Sequence, residues 1–151
     1  MNQNYKEAFE KTRLAGIVAA GALMEVEKIA KPGVRTIEID KLCYEYINDH
    51  GGYSAPLYYR GYPKTCCTSA NHVVCHGIPS DKILDNGDIV NVDVTAFKDG
   101  WHGDTSKTFE IGDVSIKAKK LIKTTYEAMM KAIKLVREDI HLGDIGYVIQ
   151  N

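Results

Sequence analysis

The sequence predicts an α+β fold, and three observations support this class. Apolar residues recur at three- and four-residue steps near both ends of the chain, as they do along one side of a helix. Between these regions, alternating apolar and polar residues surround the dipeptide Asp99-Gly100, a pattern typical of a β-hairpin. The two helical regions also resemble each other, which predicts two related halves within one chain.

Composition indicates one globular domain. The chain has 151 residues, of which 44% are hydrophobic and 26% charged, and this length is enough for a sizeable core. The net charge of -1 creates no overall field that would attract nucleic acid. The lysines within residues 117–123 are typical of a solvated helix face, so we expect no nucleic-acid patch.

The N-terminal residues and the cysteine spacing predict a cytoplasmic protein. The opening residues, MNQNYKEAFE, are polar and of mixed charge, unlike a secretory signal. No apolar run approaches the roughly 18 residues of a membrane span. The absence of a C-x-x-C pair argues against both a zinc knuckle and a disulfide framework for the four cysteines, Cys43, Cys66, Cys67 and Cys75.

Helices are predicted on both sides of the hairpin. The first covers Tyr5 to Ala30 and stops at Lys31-Pro32-Gly33, because proline and glycine do not continue a helix. Thr36 is a plausible cap for a second helix that ends at Gly51-Gly52. We expect a loop over Tyr53 to Gly61, and a long helix from Ser115.

The hairpin consists of Ile89 to Phe97 and His102 to Ile111. A two-residue loop at Asp99-Gly100 pairs Lys98 with Trp101, and this register continues outward along both strands. It then brings Thr95 opposite Asp104, and Asp93 opposite Ser106. A shift of the turn by one residue would break this arrangement.

Asp93 and Asp104 are therefore diagonal neighbours on one face. Diagonal positions lie roughly 7–8 Å apart, which suits two carboxylates that hold divalent cations about 3.5–4 Å from each other. A solvated face would also explain two strand aspartates. The surrounding residues favour the first interpretation, because short polar side chains share this face and the opposite face is wholly apolar, with Val90, Val92, Val94 and Ala96.

The internal resemblance has an offset of 106 residues. Ala22-Leu23-Met24 aligns with Ala128-Met129-Met130, Ile29 with Leu135, and Leu42-Cys43 with Val148-Ile149. The alignment predicts a first pseudo-repeat over residues 1–112 and the opening helices of a second over residues 113–151.

Three motifs resemble a known family in order and spacing. They are Val73-Val74-Cys75-His76-Gly77-Ile78-Pro79, Asn86-Gly87-Asp88-Ile89-Val90-Asn91-Val92-Asp93-Val94-Thr95 and His102-Gly103-Asp104-Thr105-Ser106-Lys107. They are similar to the signatures of type I methionine aminopeptidases. The resemblance implies a pita-bread fold of the creatinase/aminopeptidase type, which is pseudo-symmetric. It also implies a dinuclear metalloenzyme that removes the initiator methionine from nascent polypeptides near the ribosome, and that is a monomer when full length.

The resemblance also implies roles for individual residues. Asp93 would chelate one metal and Asp104 would bridge both ions, which could be cobalt, manganese, iron, zinc or nickel. His76 would be catalytic, contacting the substrate and stabilising the tetrahedral intermediate. The methionine pocket would include Tyr59, Tyr62 and Cys67.

Departures from the family pattern leave other interpretations open. Pro56 and Arg60 stand where the family commonly has a cysteine and a histidine, and His72 replaces a frequent glutamate. The ligands of the second half of the fold are missing, so we expect an N-terminal part of the enzyme that is inactive by itself. A truncated paralogue that acts as a binding module or half-enzyme is the alternative. A mononuclear site of Asp93, Asp104, His76 and His102 is a further possibility.

Overall fold

The computed structural model describes residues 3–151, which contain α-helices and a four-stranded antiparallel sheet. It comprises two compact units, one up to Val114 and one over Ser115–Asn151. No helix within the described residues is both long and apolar enough to cross a membrane. The elements are α1 (Gln3–Ile29), α2 (Thr36–Asp49), β1 (Tyr53–Ser54), β2 (Cys67–Ala70), β3 (Ile89–Lys98), β4 (Trp101–Glu110), α3 (Ile116–Leu135) and α4 (Leu142–Gln150).

Strand β3 is the centre of the sheet in the first unit. It pairs along its whole length with β4, and its other edge pairs with β1 near one end and β2 near the other. The hairpin register is the predicted one: Lys98 is opposite Trp101, Thr95 opposite Asp104, and Asp93 opposite Ser106. The turn residue Asp99 adopts a positive φ of 51°, and Gly100 one of 88°, as this tight hairpin turn requires.

One face of the sheet forms the core with α1 and α2. The predicted apolar face is fully buried, as are residues of both helices that pack with it: Val90, Val92, Val94, Ala96, Ala19, Ala22, Val26, Ile39, Cys43 and Ile47. The other face of β3 is only partly buried and carries the polar residues. Burial of alternate residues along β3 therefore separates the hydrophobic contacts from the candidate site.

Gly103 lets α1 approach the sheet closely. A Cβ atom at this position would overlap backbone atoms of Ala15 and Gly16 in α1. Because the obstacle is backbone and not a flexible side chain, the helix and β4 could accommodate a larger residue only by moving apart. The glycine next to Asp104 in the sequence motif thus has a packing role.

Two local predictions were wrong. Thr36 is the first helical residue of α2 and not its cap, which is Arg35. Its hydroxyl instead donates to the Ser80 carbonyl (3.0 Å) and accepts from the Ser80 amide (2.9 Å), and so attaches α2 to the loop before β3. The expected loop at Tyr53 contains strand β1 and, at Tyr59–Gly61, a short 3-10 turn.

The helix boundaries share the offset of the internal resemblance. Helix α1 ends at Ile29 and α3 at Leu135, while α2 begins at Thr36 and α4 at Leu142. In both α2 and α4 an early acidic side chain caps the helix. Glu38 accepts from the Arg35 amide and Asp144 from the His141 amide, each at 2.8 Å. The pseudo-repeat remains a prediction, which these shared boundaries support.

Replacing Gly103 by alanine should destabilise the first unit by about 1–3 kcal/mol, because the added methyl group overpacks the contact with α1. Gly16→Ala is the matched control, since a Cβ there meets no atom within 4 Å. That control should stabilise α1 by about 0.5–1 kcal/mol. Urea unfolding, followed by fluorescence of the single tryptophan Trp101, measures both effects. Equal stability of Gly103→Ala and wild type would contradict the packing role.

Candidate functional site

The hairpin presents two carboxylates on its open face. Asp104 lies directly opposite Thr95, whose hydroxyl Oγ1 donates a hydrogen bond to Asp104 Oδ1 at 3.0 Å. Asp93 is two residues before Thr95 on β3 and is half-buried, whereas Asp104 is exposed. The hydrogen bond from Thr95 orients the Asp104 carboxylate and leaves its second oxygen available to another partner.

The surroundings of Asp93 disfavour its charged form. Burial raises the pKa of Asp93, and the negative charge of Asp104 raises this pKa further. The nearby His76 imidazole, when protonated, partly offsets both effects. A cation bound beside Asp93 would favour the ionised form of this carboxyl, because the positive charge offsets the repulsion from Asp104.

Cys67 and Tyr62 form an apolar wall next to Asp93. Strand β2 pairs with β3 so that Cys67 lies directly opposite Asp93. Burial raises the pKa of the Cys67 thiol, the Tyr62 hydroxyl partly offsets this, and the charge of Asp93 raises the pKa further. The thiol is therefore held neutral near neutral pH, as an apolar surface needs.

The Tyr62 hydroxyl joins two segments of this wall. It lies 3.0 Å from the carbonyl oxygen of Cys66 and 3.2 Å from that of Gly77. Burial is the main reason that the pKa of Tyr62 lies well above its usual value, so the phenol stays protonated and can donate. Tyr62 thus connects β2 to the segment that carries His76.

His76 is exposed, and its backbone has an unfavourable conformation that contacts of the neighbouring residue stabilise. Its φ is 55°, in the left-handed region that a non-glycine residue adopts at a conformational cost. The next residue, Gly77, lies along β2: its amide donates to Ser69 Oγ (3.1 Å) and its carbonyl accepts from the Thr68 amide (2.8 Å). A Cβ at Gly77 would overlap the Thr68 carbonyl, so glycine is required for this approach.

Asp40 stabilises the segment that leads into β2, and the sequence analysis did not identify it. This carboxylate is only 8% exposed, and its Oδ1 accepts hydrogen bonds from the backbone amides of Thr65 (2.7 Å) and Cys66 (3.2 Å). These bonds attach the segment just before β2 to α2. The only signal in the sequence was an acidic residue on the apolar side of a helix, next to Ile39 and Cys43.

Other predicted site residues lie outside this group. The ring of Tyr59 is 64% exposed and lies beneath the Arg60 guanidinium, 5.5 Å from the ring centroid. His102 shares the open face but packs edge-on against Phe97, with ring centroids 4.7 Å apart. The described residues contain no group of three or more His, Cys, Asp or Glu placed to hold a metal ion, so the mononuclear alternative is not formed.

The donor set fits a divalent cation in part. Two aspartates on one face offer the hard oxygen ligands that such ions accept. Sites that bind tightly need further donors, and residues 3–151 contain no group of three or more His, Cys, Asp or Glu that could hold a metal ion. All four cysteines are free, as expected from their spacing, so none is used in a disulfide.

Comparison with known proteins identifies a family. The profile of metallopeptidase family M24 matches residues 10–151. A methionine aminopeptidase from Rickettsia prowazekii is 55% identical over 143 residues, covering 95% of this chain and 55% of the relative. The chain therefore spans about half the length of this relative.

Solved structures show the same fold. The crystal structure of methionine aminopeptidase from Rickettsia prowazekii matches with a TM-score of 0.94 at 54% identity, over 96% of this chain and 58% of the other. The enzyme from Thermotoga maritima matches with a TM-score of 0.93 at 36% identity, over 95% and 58%. The expected α+β fold of the pita-bread type is thus confirmed.

Asp93→Asn should stabilise the metal-free protein at pH 7. The raised pKa of Asp93 means that its charge destabilises the fold above the ordinary value of 3.8, and that this penalty disappears as the pH falls below it. Solvent screening on the open face limits the gain to about 1 kcal/mol at most.

The measurement is the urea midpoint at pH 7 and near pH 3, with Asp99→Asn at the hairpin turn as control. The gain should be present at pH 7, absent near pH 3, and absent in the control. A loss of stability at pH 7, or a gain that does not depend on pH, would contradict the raised pKa of Asp93.

Proposed function

The chain belongs to metallopeptidase family M24, and we propose that it provides the carboxylate half of a methionine aminopeptidase site. The substrate is the N-terminus of a polypeptide that begins with methionine, and the reaction is hydrolysis of the first peptide bond. The observation that carries this proposal is the pair Asp93 and Asp104 on one face of the hairpin, with Cys67, Tyr62 and His76 next to them.

Asp93 and Asp104 are the residues that would hold the metal ions. Thr95 orients Asp104 through a hydrogen bond, and Asp93, at the diagonal position, would contribute its carboxylate to the same site. A pair of divalent cations, when bound, lowers the pKa of a water molecule enough for it to act as a nucleophile at neutral pH. Cobalt, manganese, iron, zinc and nickel all accept such ligands, so the metal identity is left open.

The remaining residues bind and orient the substrate. The neutral Cys67 thiol and the protonated Tyr62 ring form a polarisable, apolar surface that suits the thioether of methionine. His76 projects from a segment that Gly77 attaches to β2, so the imidazole is positioned without being buried. In this position His76 can donate a hydrogen bond to the oxygen on which negative charge develops. Tyr59 is proposed as an outer wall of the methionine pocket.

The cellular setting follows from the substrate. A newly made polypeptide presents its initiator methionine in the cytoplasm, near the ribosome, and we propose that the protein acts there as a monomer. Among the described helices, none is long and apolar enough to cross a membrane.

A half-enzyme or binding module is the second candidate, and one observation favours it. Within residues 3–151, no group of three or more His, Cys, Asp or Glu is placed to hold a metal ion. Two carboxylates hold divalent ions weakly without further protein donors. We therefore expect the 151-residue chain by itself to release no measurable methionine from a Met-Ala-Ser peptide, even with added cobalt or manganese.

A chimera separates the two candidates. The chain is joined to the part of the Rickettsia prowazekii methionine aminopeptidase that it does not cover, and methionine release from Met-Ala-Ser is measured with manganese. We expect turnover by the chimera, none with Asp104→Asn, and normal turnover with the matched control Asp99→Asn. Full activity of Asp104→Asn would contradict its role as a ligand. A folded, metal-loaded chimera without turnover would favour the binding module.

A further inference from the structure

Three aromatic rings form a row at the turn end of the hairpin. Tyr53 of β1 is opposite Phe97 of β3, and Phe97 is opposite His102 of β4. Ring centroids are 4.7 Å apart in both pairs, with interplanar angles of 42° and 67°. The row therefore crosses three strands, and none of its members has a part in the chemistry proposed above.

This row shares a face with the carboxylates. Phe97 follows Thr95 by two residues and His102 precedes Asp104 by two residues, so the side chains point to the same side of the sheet. At about 3.4 Å per residue, the row lies about 7 Å from Asp104 along the strands and about 14 Å from Asp93. An extended peptide covers these distances in two to four residues.

The row and the Cys67 wall lie at opposite ends of the candidate site. Cys67 pairs with Asp93, towards the middle of β3, whereas Tyr53 pairs with Phe97 near the turn. A peptide whose first side chain contacts Cys67 and Tyr62 can therefore pass the carboxylates and continue over the row. The edge of β3 that carries β2 also carries β1, so both contacts lie along one path.

The rings are open to such a ligand. Tyr53 is 54% exposed and His102 is also exposed, while Phe97 is half-buried between them. Cross-strand packing stabilises the hairpin and accounts for the contacts between the rings. It leaves the outer surfaces of Tyr53 and His102 free, on the face where the substrate of the proposed reaction would lie.

We propose that Tyr53, Phe97 and His102 form a subsite for an aromatic side chain at the third or fourth position of the peptide substrate. The proposal rests on the proposed function. Aromatic rings pack on one another edge-to-face or offset at centroid distances of 4.5–7 Å. Such contacts correspond to a two- to tenfold change, roughly, in dissociation constant.

Isothermal titration of the full chain, with manganese present, measures this preference. The matched peptides are Met-Ala-Phe-Phe-Ser and Met-Ala-Ser-Ser-Ser. As a second measurement, the fluorescence emission of Trp101, the residue before His102 in β4, reports binding at that end of the sheet. We expect the phenylalanine peptide to bind about two- to tenfold more tightly. His102→Ala and Tyr53→Ala should each reduce this ratio towards one. Tyr44→Ala, which removes an exposed ring on α2, should leave it unchanged.

Equal affinity of wild type for both peptides would overturn the subsite, as would a preference that persists in both His102→Ala and Tyr53→Ala. A third peptide, Glu-Ala-Ser-Ser-Ser, separates this failure from failure of the proposed function. Preference for the methionine peptide over the glutamate peptide, without preference for phenylalanine, would remove the subsite alone. Loss of both preferences would also contradict the methionine pocket.

Discussion

The pairing of Thr95 with Asp104 across the hairpin is the constraint on which the rest of the candidate site depends. Side chains alternate strictly along a strand, so this register places Asp93 and Asp104 on the open face and Val92 and Val94 in the core. A slip of one residue between β3 and β4 would put Asp93 and Asp104 on opposite faces of the sheet, so that one carboxylate would face the core. The core therefore specifies the geometry of the site. Burial of the apolar face of the hairpin is favourable in only one register, and this register also brings the two carboxylates together on the open face.

Several features near the site cost stability and have a use there. Burial and the charge of Asp104 raise the pKa of Asp93, and His76 adopts a positive φ. A cation would remove the first penalty, and Gly77 with its hydrogen bonds to β2 offsets the second. Asp40 and Thr36 form stabilising hydrogen bonds, which attach the loops around the site to α2. The first unit thus supports a locally unfavourable arrangement with interactions placed just outside it.

Features encoded by local pattern could be predicted from the sequence, and features created by tertiary contact could not. Asp99-Gly100 and the alternation around it predict the register of β3 and β4, which the structure confirms. The role of Thr36 was missed because its partner, Ser80, is distant in the sequence. For the same reason, nothing near Asp40 predicted hydrogen bonds to Thr65 and Cys66. Gly77 and Gly103 could be recognised as motif residues. The need for glycine at both positions comes from the close backbone of another segment, which the sequence does not show.

The most direct test of the central claim is a crystal structure of the protein grown with manganese, analysed by anomalous scattering. The account predicts an anomalous peak on the open face of the hairpin, with carboxylate oxygens of both Asp93 and Asp104 about 2.0–2.6 Å from the ion. Carboxylates that point apart, with no anomalous peak between them, would contradict it.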